Sequence, residues 1–354
     1  MGLGMGLAPD TLLDVRGLEV VFAQPDGPVY AVNGASFHVR RGEWLGILGE
    51  SGSGKSVSLL SILGLLGDNG RVTAGEAWFD GEDLLRLPER HLRTIRGRRI
   101  GVVFQSVSAG LNPFLRVGAQ VMEPMLQHHF CGKAEARQRA LALLAEMGIP
   151  DPETRFHSFP FELSGGMRQR VMTAVALACD PDLLIADEPT TALDTTVQVQ
   201  VLRVLRDACA RRRMATIMVT HDIGVAANVC DRVLVMYAGM VMEVCPIDEF
   251  IERPAHPYTL ALRASHLDVR HRRKPLVSIP GTAPVLREPP RGCPFAERCA
   301  FAADVCRRER PPLMPLAEPA AAAGTGAPSD RHWVACHRAK EVVALGDHAV
   351  VDRR

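Results

Sequence analysis

The sequence predicts an α/β fold: a parallel sheet flanked by helices, interrupted by a helical insertion and followed by a small cysteine-containing tail. Three observations predict it. An apolar run, Trp44 to Leu48, leads into Gly49-Glu50-Ser51-Gly52-Ser53-Gly54-Lys55-Ser56 and then into an apolar helical pattern over Ser56 to Leu66. Short apolar runs alternate with helical patterns again from Leu183 to Tyr237, as crossover connections between parallel strands require. Between the two regions, Asn112 to Phe161 is helical in pattern, most strongly over Ala134 to Met147.

Taken in order, Leu18 to Phe22, Ala35 to Val39 and Trp44 to Leu48 read as strands, because they are apolar, β-branched and bounded by Gly, Pro and Asp. Ile100 to Phe104 is a further strand, ending at Gln105. The alternation then runs strand Leu183 to Ala186, helix Val197 to Arg211, strand Ala215 to Thr220, helix Gly224 to Val229 and strand Arg232 to Tyr237. After Phe250 prolines punctuate an irregular region, and Pro311 to Ser329 is rich in Pro, Ala and Gly, as a flexible loop would be.

The chain has 354 residues, enough for one large or two smaller domains, and its 47% hydrophobic and 23% charged content is that of a globular protein. A net charge of +1 gives no electrostatic case for nucleic acid as the main partner. The basic runs Arg96 to Arg99, Arg211 to Arg213 and Arg270 to Lys274 are expected to be solvated helix ends and loops. No run of 18 apolar residues occurs, and Met1 to Asp10 lacks the basic start of a signal peptide. A cytosolic protein is expected, one that reaches a membrane only by docking on another subunit.

The glycine loop carries the first chemistry. Glycines let backbone N–H groups converge on phosphate oxygens, and the following helix start favours an anion. Lys55 is placed to reach the β- and γ-phosphates, and Ser56 to ligate Mg²⁺. Asp187 ends a buried strand, where a carboxylate is costly unless it serves an ion, so it is expected to hold Mg²⁺ through water. Glu188 beside it is the candidate general base. Capping of the next turn is the plainer alternative for this pair. In Leu163-Ser164-Gly165-Gly166-Met167-Arg168-Gln169-Arg170, Ser164 is a good N-cap and the glycines leave helix N–H groups open to phosphate. Met167, Val171, Ala174, Val175 and Ala178 would form that helix's buried face.

Of nine cysteines, Cys131, Cys179, Cys209, Cys230 and Cys245 are scattered and read as buried small hydrophobes. The other four follow Cys293-x5-Cys299-x6-Cys306-x29-Cys336. Four thiolates suit tetrahedral Zn²⁺ or an iron–sulfur cluster, and the tight C-x2-C knuckles usual for zinc are missing. Four unligated thiols remain the alternative.

The glycine loop, the Leu163 segment and Leu183 to Pro189, in this order, resemble the ATP-binding-cassette (ABC) ATPases, a branch of the P-loop NTPases. The resemblance implies an ABC-type nucleotide-binding domain over residues 12–265, with a helical subdomain at about 106–165, and an extension over 266–354. It implies that residues Gly49, Glu50, Ser51, Gly52, Ser53, Gly54, Lys55 and Ser56 bind ATP, and that Gln105 touches Mg²⁺ or the attacking water. It also makes His221 a sensor of the γ-phosphate and Asp194 part of a loop crossing between subunits. Ser164, Gly165 and Gly166 would face ATP held by a second ATPase subunit, in a head-to-tail dimer. The family stacks an aromatic residue on adenine; Gln24 stands near its usual place, and Tyr30 is either that residue or an ordinary strand-edge residue.

Met167 and the tail narrow the resemblance. Arg253 to Thr259, Pro280 to Pro284, Gly292 to Cys299 and His332 to Cys336 resemble the C-terminal extension of the dipeptide and oligopeptide importer ATPases, a branch that also serves nickel uptake. The resemblance implies an ATPase subunit at the cytoplasmic face of the bacterial inner membrane. Its partners would be two transmembrane permeases, an extracellular peptide-binding protein and a second ATPase, often a different paralogue. It implies a 4Fe–4S cluster on Cys293, Cys299, Cys306 and Cys336, with Zn²⁺ as the alternative. Nickel or another small solute is the alternative cargo. A soluble ABC protein acting on DNA or ribosomes usually carries long coiled-coil insertions or two cassettes, which this chain lacks.

Overall fold

Trp44–Leu48 is buried at all five positions, the pattern of a strand covered on both faces. The computed structural model describes residues 10–105, 110–189, 195–265, 279–316 and 332–345, and Asp194 and the Arg270 to Lys274 run lie outside them. The chain divides into two units: residues up to 38 with 45–85 and 220 onward, and residues 39–44 with 86–219.

In the first unit Leu45 to Leu48 pairs in parallel with Arg232–Tyr237, as the alternation predicts. The chain then does something the sequence reading omitted. Ala238 and Gly239 both take positive φ, 45° and 77°, and reverse the chain into a further strand, Met240–Pro246, antiparallel to Arg232–Tyr237. Positive φ at both turn residues is what a tight hairpin demands. Ala-Gly is a weaker sequence signal for it than Asn-Gly.

A second omission is a four-stranded antiparallel sheet. Its order is Val29–Arg40, Thr11–Phe22, Gly70–Phe79, Glu82–Asp83. The first two strands extend the short runs expected from sequence. Gly70–Phe79 is exposed or half-buried at most positions, so no clean alternation advertised it. Long-range pairing holds it, from Leu13 opposite Phe79 to Phe22 opposite Gly70. The helix after the glycine loop spans Lys55–Ile62, not Ser56 to Leu66. Gly64 at φ 62° ends it: Leu65 N–H donates to Leu60 O and Gly64 N–H to Ser61 O, the paired bonds of a glycine C-terminal motif.

The tail is built onto this unit. Trp333–Val334 pairs antiparallel with Met240–Pro246 and with Met314–Pro315. Small apolar clusters, Leu260 with Phe301 and Val342, and Ala255 with Val334 and Ala339, fill the space beneath. A buried ion pair joins tail and strand. Glu243 accepts from the backbone N–H of Ala255 (2.7 Å) and His256 (2.9 Å). His332 lies between Glu243 Oε1 at 2.6 Å and Glu249 Oε2 at 2.7 Å. Burial opposes charge on His332, but the two carboxylates win and push its pKa up to about 9.

In the second unit Ile100–Val103, Leu183–Asp187 and Ala215–Val219 lie side by side in parallel. The helical insertion is present as Val117–Gln127, Lys133–Glu146 and Pro152–His157. The helix Gly165–Leu177 is buried more widely than the expected stripe: Gln169, Met172, Thr173 and Leu177 are covered along with Val171 and Ala174, whereas Met167 and Val175 are only half-buried. Of the basic runs, Arg96 to Arg99 is half-buried rather than solvated, whereas in Arg211 to Arg213 only Arg212 is half-buried and its two neighbours are exposed as expected. Arg96 pairs with Glu89 at 2.9 Å, Arg99 with Asp182 at 2.8 Å, and Arg98 stacks over Phe130. Arg212 bonds Glu146 at 2.7 and 2.8 Å, and with Arg211 holds its carboxyl down at about 2. Among the described residues no helix is long and apolar enough to cross a membrane.

Because folding raises the proton affinity of His332, its stabilisation is complete below pH 6.5, the unfolded value, and fades as pH rises through about 9. Thermal melts should show stability declining across that window. In His332→Gln the melting temperature should be lower at pH 6.5 and flat from there to pH 9. An unchanged pH dependence in the variant would remove His332 as its cause.

Candidate functional site

The glycine loop belongs to the first unit, and its shape is enforced by what surrounds it. Gly49 has φ 150°, and a Cβ there would stand 2.3 Å from Met236 O. Gly54 has φ 98°, and its Cβ would meet Ala31 O at 2.6 Å. Neither position tolerates a side chain. Ser53 N–H closes a turn on Glu50 O (3.2 Å), and Gly239 N–H donates to Ser53 O (2.9 Å). Lys55 Nζ donates to Gly49 O and Glu50 O, both at 2.8 Å, so its ammonium is folded over the loop. Ser51 and Gly52 are exposed and Ser56 half-buried.

His221, in the same unit, is exposed. Its neighbours fix its backbone: Thr220 N–H donates to Ile47 O (3.2 Å), and Asp222 caps the helix Ile223–Val229 through Val225 N–H at 3.0 Å. Tyr30 is half-buried near the start of its strand, and its N–H donates to Leu286 O at 2.9 Å.

The second unit carries the carboxylates. Asp187 ends the strand Leu183–Asp187, opposite Val219, and is half-buried. Glu188 takes φ 48°, a left-handed conformation rare outside glycine, while its N–H donates to Val219 O at 3.0 Å. A non-glycine residue there costs roughly 1–2 kcal/mol, strain of the kind that collects at functional sites. Gln105, just past the strand Ile100–Val103, donates Nε2–H to Glu188 Oε2 at 2.9 Å. The two residues that the resemblance assigns to the attacking water thus touch each other. Ser164 caps the helix Gly165–Leu177, accepting from Met167 N–H at 3.3 Å. Ser164 and Gly165 are exposed, and open space surrounds Gly165.

The tail's four cysteines come together. Cys293, Cys299, Cys306 and Cys336 line one pocket with Phe301 and Arg338. Backbone N–H groups point at the sulfurs: Phe301 at Cys299 and Arg338 at Cys336, both at 3.4 Å. Burial pushes the thiols of Cys293 and Cys299 up to about 11 and that of Cys336 to about 12. Such sulfurs become thiolates only with a cation among them. A tetrahedral zinc site would bring sulfurs to about 3.8 Å from one another, given Zn–S of about 2.3 Å. Among the described residues, only Glu243, Cys245 and His332 form a trio with all ligand atoms within 4.8 Å, so no three of the pocket sulfurs are all that close together. Four cysteine sulfurs in one pocket are a donor set that suits either a zinc ion or an iron–sulfur cluster. The Glu243 trio does not fit a cation, because both ring nitrogens of His332 face carboxylates and its imidazolium brings positive charge.

Motif reading missed Arg298 and Tyr258, which bond the loop residue Glu50, and Tyr237, whose hydroxyl accepts from Arg298. Arg298 stands next to Cys299, where spacing draws the eye only to the sulfurs.

Comparison with known proteins follows these features along the chain. The ABC transporter family matches residues 32–191, and the family described as the oligopeptide/dipeptide transporter C-terminal region matches 242–306. A probable peptide ABC transporter ATP-binding protein of Sinorhizobium fredii is 48% identical over 95% of this chain and 97% of its own length. The oligopeptide transport ATP-binding protein OppD of Salmonella typhimurium is 47% identical, over 86% of this chain and 90% of its own. Among solved structures, a dimeric bacterial ABC transporter cassette superposes with TM-score 0.60 at 30% identity, covering 66% of this chain and 98% of that one.

Proposed function

The chain belongs to the ATP-binding proteins of the oligopeptide/dipeptide ABC transporters, and from that membership we propose how its residues divide the work. It is the ATP-hydrolysing subunit of a peptide importer, with the fold of an ABC cassette and a C-terminal extension. Residues 12–265 form the ATPase domain, with a helical subdomain at about 106–165, and 266–354 the extension. The observation that carries the catalytic assignment is the Glu188 carboxylate, held in a strained backbone and gripped by Gln105.

Gly49 to Ser56 bind the phosphates of ATP, and Lys55 turns its ammonium from the loop carbonyls toward the β- and γ-oxygens. Ser56, Gln105 and Asp187 hold Mg²⁺, which when bound neutralises charge on those oxygens. Glu188 accepts the proton of the attacking water while Gln105 fixes the direction of its carboxylate. His221 senses the γ-phosphate from the segment anchored at Ile47. Ser164, Gly165 and Gly166 present a capped, open helix end, which supports its facing ATP held by a second ATPase subunit. Asp194 belongs to the loop between those subunits.

Transporter partners follow from the family. We assign the subunit to the cytoplasmic face of the membrane, against two permeases fed by an extracellular peptide-binding protein, with a paralogue as second ATPase. Phe114 and Phe161, 86% and 68% exposed in the second unit, support a docking role, since large exposed aromatics mark contact surfaces. Cys293, Cys299, Cys306 and Cys336 hold a 4Fe–4S cluster, which when bound ties separate tail segments through thiolates.

In Glu188→Gln, ATP turnover by the assembled transporter should fall at least about a hundredfold, the low end of what a positioned general base contributes. ATP binding should persist. Turnover at the wild-type rate would overturn the role of Glu188. For the cluster, anaerobically purified chain should carry about four irons and a broad visible absorption, lost in Cys299→Ser. Zinc with no visible band would replace the cluster by a zinc site.

A further inference from the structure

Glu50, the second residue of the glycine loop, is gripped at three points. Its N–H donates to Tyr258 Oη at 2.8 Å, and its carbonyl accepts from Lys55 Nζ at 2.8 Å. Its carboxylate accepts a two-pronged contact from Arg298, Nη1 at 2.7 Å and Nη2 at 3.0 Å. The Arg298 side chain is 8% exposed and otherwise spent: it also donates to Tyr237 Oη (3.0 Å), Pro280 O (2.6 Å), Gly281 O (3.3 Å) and Ile279 O (3.4 Å). Tyr237, Tyr258 and Phe295 pack as a ring trio with centroids 4.7 to 5.3 Å apart, beneath the guanidinium. A buried arginine with this many fixed partners is a rigid strut rather than a surface charge.

The strut's other end is the cysteine pocket. Phe295 and Arg298 lie inside the segment Cys293 to Cys299, a single tight turn closed by Ala296 N–H on Cys293 O and Cys299 N–H on Ala296 O. One edge of this turn puts Cys293 and Cys299 into the pocket, and the other puts Phe295 and Arg298 toward the loop. We propose that Arg298 is a positioning residue for the glycine loop, and that it makes nucleotide affinity depend on whether the four-cysteine pocket is filled. The part concerning the pocket rests on the cluster assignment above. Filling the pocket fixes the turn, the turn fixes Arg298, and Arg298 fixes Glu50 and with it the loop backbone offered to phosphate.

The test is titration of the full-length chain, purified anaerobically, with mant-ATP and Mg²⁺. Arg298→Ala should weaken binding about tenfold, and Arg298→Lys should recover part of it, since an ammonium cannot make the two-pronged contact. Glu50→Ala, on the loop side and independent of how the tail folds, should weaken binding to a similar degree. The double variant should be no weaker than Glu50→Ala alone, because both changes cut one link. In the assembled transporter Arg298→Ala should raise KM for ATP and leave kcat within about twofold. Cys299→Ser should weaken mant-ATP binding in the Arg298 background and add nothing to Arg298→Ala. Wild-type affinity in Arg298→Ala, or additive losses in the double variant, would overturn the role of Arg298. Wild-type affinity in Cys299→Ser would overturn the link to the pocket. A chain without iron whose Arg298→Ala variant still binds weakly would sink the cluster assignment and leave Arg298 in place.

Discussion

The close approach of the glycine loop to the Arg232–Tyr237 strand and its hairpin governs the first unit. With Met236 O lying where a Cβ of Gly49 would be, and Gly239 N–H bonded to Ser53 O, the loop is a cast taken from its surroundings. Its backbone can be presented to phosphate without reorganisation because nothing else fits there. The same hairpin continues into Met240–Pro246, which carries the tail strand and the Glu243–His332 ion pair. Loop and tail thus share one support, and a disturbance of either is felt through it.

The second unit solves a different problem. A carboxylate at the end of a strand buried on both faces has to emerge from an apolar layer with a defined direction. Leu183 to Ala186 supply the buried run, Asp187 reaches the half-buried edge, and the left-handed turn at Glu188 swings the next carboxylate to Gln105. Neighbouring strands hold that turn in place through the Val219 carbonyl. Strain and hydrogen bonding together leave the carboxylate little freedom. The surrounding arginines, paired with Glu146, Asp180 and Asp182, serve this unit's packing rather than an outside partner.

In the tail, sulfurs whose pKa is raised by burial are collected in one pocket, with backbone N–H groups aimed at them. Burial opposes the thiolate and the N–H groups favour it, so the charge state of these sulfurs is set by what else enters the pocket. The turn that delivers two of these sulfurs also delivers the partner of Glu50. A tail that looks appended in sequence is integral to the nucleotide half.

The sequence by itself determined what local pattern encodes. The strand–glycine-loop–helix unit, the strand ending in Asp187 and the capped helix at Ser164 were all legible, because spacing and residue type suffice to specify a turn, a buried run or a cap. The grouping of four cysteines was legible as a count and a spacing, and all four line one pocket. Only the tertiary structure decided the rest. Gly70–Phe79 has no alternation of its own and exists as a strand because Thr11–Phe22 pairs with it. Met240–Pro246 depends on an Ala-Gly turn that carries little signal. Arg298 meets Glu50 across 248 residues of chain. Sequence periodicity reports which face of an element is buried, but not which distant side chain will stand opposite it; that is settled when the elements pack.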